Sequence, residues 1–81
     1  MRRRNLPSLT SLNCFEAAAR HLSFTRAADE LSLTQSAVSK QVSQLEVTLQ
    51  HPLFRRVRKR LHLTPGGAVY LGEARKILAQ V

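Results

Sequence analysis

Between Ser23 and Leu49 the chain reads SFTRAADELSLTQSAVSKQVSQLEVTL, and its apolar spacing constrains the fold more than any other feature. Ser23 is placed to cap a helix of about two turns whose inward residues are Ala27, Ala28 and Leu31. So short a helix is unstable in water unless neighbours pack its apolar face. Leu31-Ser32-Leu33 supplies a tight turn. Thr34 can then cap a longer helix with Val38, Val42, Leu45 and Leu49 inward. Two amphipathic helices joined this tightly form a helix-turn-helix, and the small Ala27 and Ala28 suit the point where the pair must cross closely.

The flanks supply the packing partners. Ser8 precedes Leu9, Leu12, Phe15, Ala18 or Ala19, and Leu22, a three- and four-residue repeat that predicts a capped scaffold helix. Cys14 falls within it as a small core residue. Pro52 stops the helical pattern after Leu49, and alternation at Leu61 and Leu63 predicts a two-stranded hairpin with Arg58 and Lys59 at its tip. Thr64-Pro65 restarts the chain as N-cap and first helical residue, and Tyr70, Leu71, Ala74, Ile77, Leu78 and Val81 lie along one stripe of a fourth helix. Val81 has neither a polar cap nor a terminal Gly, so that helix is expected to run on into a larger protein.

An 81-residue chain with 43% hydrophobic residues has room for one small domain and no deep catalytic cavity. Thirteen Lys or Arg against five Asp or Glu give a net charge of +8, which concentrates polyanions around the surface. Its apolar runs fall far short of the roughly 18–20 residues a membrane span requires. Met1-Arg2-Arg3-Arg4-Asn5-Leu6-Pro7 carries the charge of a secretory leader, but Pro7, Ser8, Thr10, Ser11 and Asn13 interrupt the apolar region a leader needs. It reads as a basic arm. A single cysteine fits a reducing compartment, and the expected setting is the cytoplasm.

Nucleic acid is therefore the expected partner, and the third helix carries the chemistry for reading it. Gln35, Ser36, Ser39, Lys40 and Ser43 fall opposite the Val38/Val42/Leu45 stripe. Gln can pair with adenine through two hydrogen bonds, Lys can donate to guanine N7 and O6, Ser allows close approach, and Ala37 can meet a thymine methyl. A solvated helix face would have the same composition. Its position, after a short helix and a tight turn in so basic a chain, favours base contact by Gln35, Ser36, Ala37, Ser39 and Lys40. Arg55, Arg56, Arg58, Lys59 and Arg60 place five cations within six residues, a density that phosphates or a narrow minor groove would neutralise. Ser23, Thr25 and Thr34 sit at helix N-termini, whose free N–H groups bind anions. Together with Ser43 they complete the expected backbone-contacting set. Glu46 is expected to orient an arginine of the hairpin from the third helix, and the other acidic residues read as surface partners for nearby cations.

No Gly-rich phosphate loop follows a strand, and Gly66-Gly67 lacks a downstream Lys-Ser/Thr pair. One Cys and three scattered His do not make a zinc pattern. An enzyme, a metal site and a cofactor are not expected.

Five segments in this order resemble the LysR-type transcriptional regulators: SFTRAA from Ser23, LTQSAVSKQ from Leu33, Leu45-Glu46, LFRR from Leu53, and LTPGG from Leu63. Phe15 to Phe24 is similar to the glycine-cleavage and β-lactamase regulator branch. The resemblance implies a mainly α winged helix-turn-helix, with a three-helix core and a two-stranded wing, over residues 1–64, of which 1–7 form the arm. Residues 65–81 would begin a long linker helix that pairs two subunits. It also implies a C-terminal effector-binding domain of two α/β subdomains, expected to be absent from this chain and to bind any small-molecule coinducer. Base contacts from Gln35, Ser36, Ser39 and Lys40, wing contacts near Lys59, and a phosphate or structural role for Arg56 are further implications. This chain departs from the family pattern at Gln50, where Gly usually ends the recognition helix, at Ser36 for Pro, at Lys40 for Arg, and at Gly66 for a better helix former.

The expected function is sequence-specific binding of double-stranded DNA by a dimer on an interrupted inverted repeat, without membrane association. Tyr70, Leu71, Ala74, Ile77, Leu78 and Val81 would form the pairing face, and the full-length protein could assemble further into a tetramer. An architectural protein that coats DNA without choosing sequence, and a protein-interaction module using the fourth helix, are the alternatives.

Overall fold

The computed structural model describes residues 7–80 of the chain, so the arm, apart from Pro7, and Val81 lie outside the described residues. The elements run α1 (Leu9–His21), α2 (Phe24–Leu31), α3 (Gln35–Leu49), β1 (Phe54–Val57), β2 (Arg60–Leu63) and α4 (Pro65–Leu78). This is the winged helix-turn-helix read from the sequence.

Each helix begins where a hydroxyl can take up its orphan amides. Ser8, Ser23, Thr34 and Thr64 cap the four helices, accepting from the backbone N–H three residues on. Ser11, although buried, donates its hydroxyl to the Ser8 carbonyl at 2.9 Å and so leaves no polar debt in the core.

Helix ends are equally specified, by a less expected device. α1, α2 and α3 all stop at a left-handed residue that is not glycine: Leu22, Ser32 and Gln50. In each case the next residue's N–H reaches back to a carbonyl five residues earlier, Ser23 to Ala18, Leu33 to Ala28 and His51 to Glu46. That bond defines the Schellman motif. Leu22 was expected within the apolar stripe of α1. Instead it terminates the helix with its side chain 47% exposed, because the chain must reverse there for Ser23 to cap α2. Leu9, at the other end of the same stripe, is also exposed.

The core consists of Leu12, Cys14, Phe15, Ala17, Ala18 and Ala19 of α1, Ala27 and Ala28 of α2, and Val38, Val42 and Leu45 of α3, closed by Leu53, Phe54, Leu61 and Ala74. Burial pushes the Cys14 thiol up from its ordinary value, making it a poor nucleophile. Phe15 is the hub of an aromatic line that contains every Phe and Tyr of the chain. Tyr70, Phe15, Phe54 and Phe24 follow one another with ring centroids 5.6–5.7 Å apart, joining α4, α1, β1 and α2.

The fourth helix packs on this core through the face that had been expected to pair two chains. Ala74 is fully buried, and Tyr70, Leu71 and Leu78 are partly buried against the cluster. Burial also raises the Tyr70 hydroxyl pKa above its ordinary value. Of the six residues in the stripe, Ile77 is exposed at 42% and Val81 lies outside the described residues. Val69, outside the stripe, is 72% exposed.

Gly66 and Gly67 fit the start of α4 for different reasons. A Cβ on Gly67 would run into the backbone carbonyl of Leu53, whereas one on Gly66 would meet the imidazole of His51. A helix former at position 66, as the family pattern has, would thus require the ring of His51, which follows the cap of α3, to swing aside. Thr64 fastens the same junction: its N–H donates to Leu53 O at 3.0 Å, and its hydroxyl donates to Pro52 O at 2.7 Å.

Candidate nucleic-acid interface

On α3, the residues facing away from the core are set by the helical repeat. Ser36, Lys40, Ser43 and Val47 succeed one another at four, three and four residues, and all are exposed. Gln35 is exposed at the helix start, while Ser39 and Ala37 sit half-buried on the two flanks of the stripe. Sequence reasoning passed over Val47, although it is 76% exposed in line with Lys40. The Val38/Val42/Leu45 periodicity carries that signal, since it puts position 47 on the outer face.

β1 and β2 pair antiparallel, with Phe54 opposite Leu63, Arg55 opposite His62, Arg56 opposite Leu61 and Val57 opposite Arg60. Arg58 and Lys59 form the two-residue tip, with φ of 53° and 69°. Positive φ at both central residues is the primed hairpin turn that matches the twist of the strands, here built without Asn or Gly. The five wing cations therefore do not form one patch. Successive cross-strand pairs face opposite sides, so Arg56 shares the face of the buried Phe54 and Leu61, Arg55 and Arg60 take the other face, and Arg58 and Lys59 project at the end. The Arg56 guanidinium lies over the Phe24 ring, 5.8 Å from its centroid.

Glu46 does not orient one of those arginines. Its Oε2 accepts the backbone N–H of Leu53 at 2.7 Å and of Phe54 at 3.2 Å, so the carboxylate is committed to holding the start of β1.

Wing, α2 and α3 meet in an open cleft of about 380 Å³. Ser23, Phe24 and Thr25 contribute the N-terminus of α2, Gln35 the start of α3, and Arg56, Lys59, Arg60 and His62 the wing. A helix N-terminus presents unpaired N–H groups and the positive end of a dipole. Here three cationic side chains are added at the same place. Thr34, Ser43, Arg55 and Arg58 lie outside this cleft, Thr34 capping α3 and Ser43 and Arg55 beside a second, smaller one next to the wing. His62 was not singled out from the sequence; it lines the cleft from β2, next to Arg60 and Leu61.

Two of the acidic residues, Glu16 and Glu30, are gathered elsewhere. Arg20 binds both Glu16 and Glu30 with paired contacts of 2.8–2.9 Å, and His21 Nε2 lies 2.7 Å from Glu30. Hydrogen bonding to Arg20 first, and to His21 second, pulls the Glu30 pKa down to about 2, and Arg20 also lowers Glu16. These contacts join α1 to α2 away from the cleft. Among the described residues, no group of three or more His, Cys, Asp or Glu side chains could hold a metal ion, and no helix is long and apolar enough to cross a membrane.

The sequence model of the bacterial regulatory helix-turn-helix proteins of the lysR family matches residues 9–68, from the first turn of α1 into α4. The chain belongs to the LysR family. It is 50% identical over 78 residues to the glycine cleavage system transcriptional activator of Escherichia coli strain K12, covering 96% of this chain and 26% of that protein. That is the branch that Phe15 to Phe24 resembles. The LysR-family chain thus spans about a quarter of the length of such relatives. Its fold matches that of the BenM DNA-binding domain in complex with catB site 1 DNA, at a TM-score of 0.85 and 34% identity over 90% of this chain and 82% of that one. The CbnR DNA-binding domain in complex with DNA matches equally well, at a TM-score of 0.85 and 30% identity over 90% of this chain and 84% of that one.

Proposed function

We propose that this chain is the sequence-reading domain of a transcriptional regulator, which places α3 in the major groove of duplex DNA and the wing at the flanking backbone and minor groove. The observation that carries the reading is the cleft that joins Gln35, at the start of α3, to the N-terminus of α2 and to Arg56, Lys59 and Arg60. A helix lying in a major groove must have phosphates beside its start, and this chain supplies anion-binding groups there. Gln35, Ser36, Ser39 and Lys40, with Ala37 against a thymine methyl, then choose the sequence. Ser23, Thr25, Thr34, Ser43 and the wing cations supply affinity and register. The DNA bound to the BenM and CbnR domains favours the same ligand class. Duplex DNA as target would place the protein at the nucleoid in the cytoplasm of a bacterial cell.

In this reading α4 pairs two copies about a two-fold axis and so matches an inverted repeat in DNA. Because Ala74 and its neighbours are used by the core, the pairing surface is the remainder of α4, centred on Val69 and Ile77. It continues into an apolar groove lined by Leu49, Leu53 and Tyr70 beside His51 and Glu73. Small-molecule control and higher assembly would reside in the rest of a protein as long as its relatives.

Selection of duplexes from a random pool, followed by footprinting, tests the function. An interrupted inverted repeat bound by two chains is expected. A pool that stays random through repeated selection would replace this reading with that of an architectural coat.

A further inference from the structure

We propose that Phe24 is a positioning residue for DNA binding, holding the Arg56 guanidinium at the mouth of the cleft. The inference rests on the proposed reading that the wing meets DNA. Arg56 occupies an inward register position of β1, between Phe54 and the tip, where a long cationic side chain would ordinarily be out of place. Its guanidinium lies over an aromatic face while the residue stays exposed, the arrangement by which arginine keeps a charge accessible beside a core.

Phe24 is fixed on both sides. Its ring meets Phe54 edge-on at 5.6 Å and an interplanar angle of 86°, which fixes the plane over which Arg56 lies. Its backbone is the first residue of α2, directly after the Ser23 cap. The same residue therefore joins the helix N-terminus to the wing cation, and both line one cleft. Without the ring the guanidinium would have to be ordered when DNA binds, at a cost in side-chain entropy that would weaken the complex. Flat delocalised Arg suits this seat, whereas Lys would lose the stacked geometry.

The test is a double-mutant cycle on the 81-residue chain, with affinity for a selected duplex read by fluorescence anisotropy at two salt concentrations. Phe24→Leu retains apolar volume against Phe54 and should weaken binding by about two- to fivefold, the range for loss of an exposed cation–π contact. Phe24→Tyr should bind like the parent. In an Arg56→Gln background, Phe24→Leu should have no further effect. Equal losses from Phe24→Leu in both backgrounds would show a merely structural ring and overturn the proposal, as would parental affinity for Phe24→Leu alone. Parental affinity for Arg56→Gln would overturn it together with this part of the interface, whereas a loss there with none from Phe24→Leu removes only the role of the ring. Thermal denaturation of each variant distinguishes a folding defect, in which case Arg56→Lys decides: it should lose affinity as Arg56→Gln does, and parental affinity would overturn the proposal.

Discussion

Glu46 and Leu53 are joined across the α3–β1 connection by a 2.7 Å hydrogen bond in which the carboxylate accepts a backbone amide. A second bond from Phe54 N–H reaches the same oxygen. A negative acceptor on two amides makes strong bonds, and the half-buried site leaves those amides poorly solvated once it is gone. Glu46→Ala should therefore lower the unfolding free energy by about 1–3 kcal/mol. Glu46→Gln, which keeps an acceptor oxygen, should recover part of this. Urea denaturation of both variants decides. Equal stability of Glu46→Ala and the parent would show that water replaces the carboxylate at no cost.

The two adjacent glycines of α4 should respond oppositely to the same substitution. Gly67→Ala drives a methyl against the Leu53 carbonyl, a backbone atom held by Thr64, and should destabilise by roughly 1–3 kcal/mol, as overpacking does. Gly66→Ala meets only the His51 ring, which is exposed and can rotate away. There the gain in helix propensity, up to about 1 kcal/mol, should leave the variant as stable as the parent or more so. Denaturation midpoints measured side by side check the difference, and a costly Gly66→Ala would mean that the His51 ring is fixed.

Glu30 gives the fold a defined acid dependence. Its carboxyl titrates at about 2 in the folded state, against an ordinary value near 4.5, because Arg20 and then His21 bond its charged form. The folded state thus binds this proton more weakly than the unfolded one. The contribution is complete above about pH 4.5 and is lost as the pH falls toward about 2. Glu16, lowered chiefly by Arg20, adds in the same direction. Glu30→Gln should flatten the fall in melting temperature across that window. Because Glu30 is solvent-exposed and Arg20 is shared, salt should shrink the effect.

Much of this architecture is legible in the sequence because short polar caps and apolar repeats act locally. Ser8, Ser23, Thr34 and Thr64 are helix starts that need no tertiary information, and Leu61/Leu63 alternation suffices for the wing. The helix ends are harder to read, since Leu22, Ser32 and Gln50 enter the left-handed region without glycine. What compensates them is the Schellman bond formed by the following residue, together with the need of Ser23 and Thr34 to begin the next helix. In the interface, the polar face of α3 is recoverable from periodicity, but the seat of Arg56 is not. It depends on Phe24, thirty-two positions earlier, reaching β1 through the fold. For the same reason the α4 stripe reads as a single pairing face in one dimension, whereas in three Ala74 is buried in the core, Tyr70, Leu71 and Leu78 pack partly against it, and Ile77 stays exposed.

Base reading and backbone attraction should separate under mutation. Gln35→Ala removes a side chain able to make two bonds to one base, so it should cost about 1–3 kcal/mol on a selected site and relax preference at a single position. Lys59→Ala removes a tip cation and should weaken binding across all sequences while reducing the dependence of log K on log salt by about one ion. Competition between selected and random duplexes at several salt concentrations measures both. Unchanged discrimination in Gln35→Ala would remove that residue from the reading set.

Pairing through α4 should depend on Val69 rather than on Ala74. Val69 is 72% exposed beside the apolar groove at Leu49, Leu53 and Tyr70, so Val69→Glu adds a charge to the proposed pairing surface without touching the core. It should leave the unfolding free energy of the free chain within about 0.5 kcal/mol of the parent's, as surface substitutions do. It should also abolish cooperative occupation of the two half-sites of a repeat. Ala74→Leu, by contrast, should act through overpacking at a fully buried position, costing about 1–3 kcal/mol of stability in the single chain. Sedimentation of each variant, alone and on a duplex carrying two half-sites, tells the two effects apart. Two Val69→Glu chains still binding one repeat cooperatively would move the dimer contact off this face of α4.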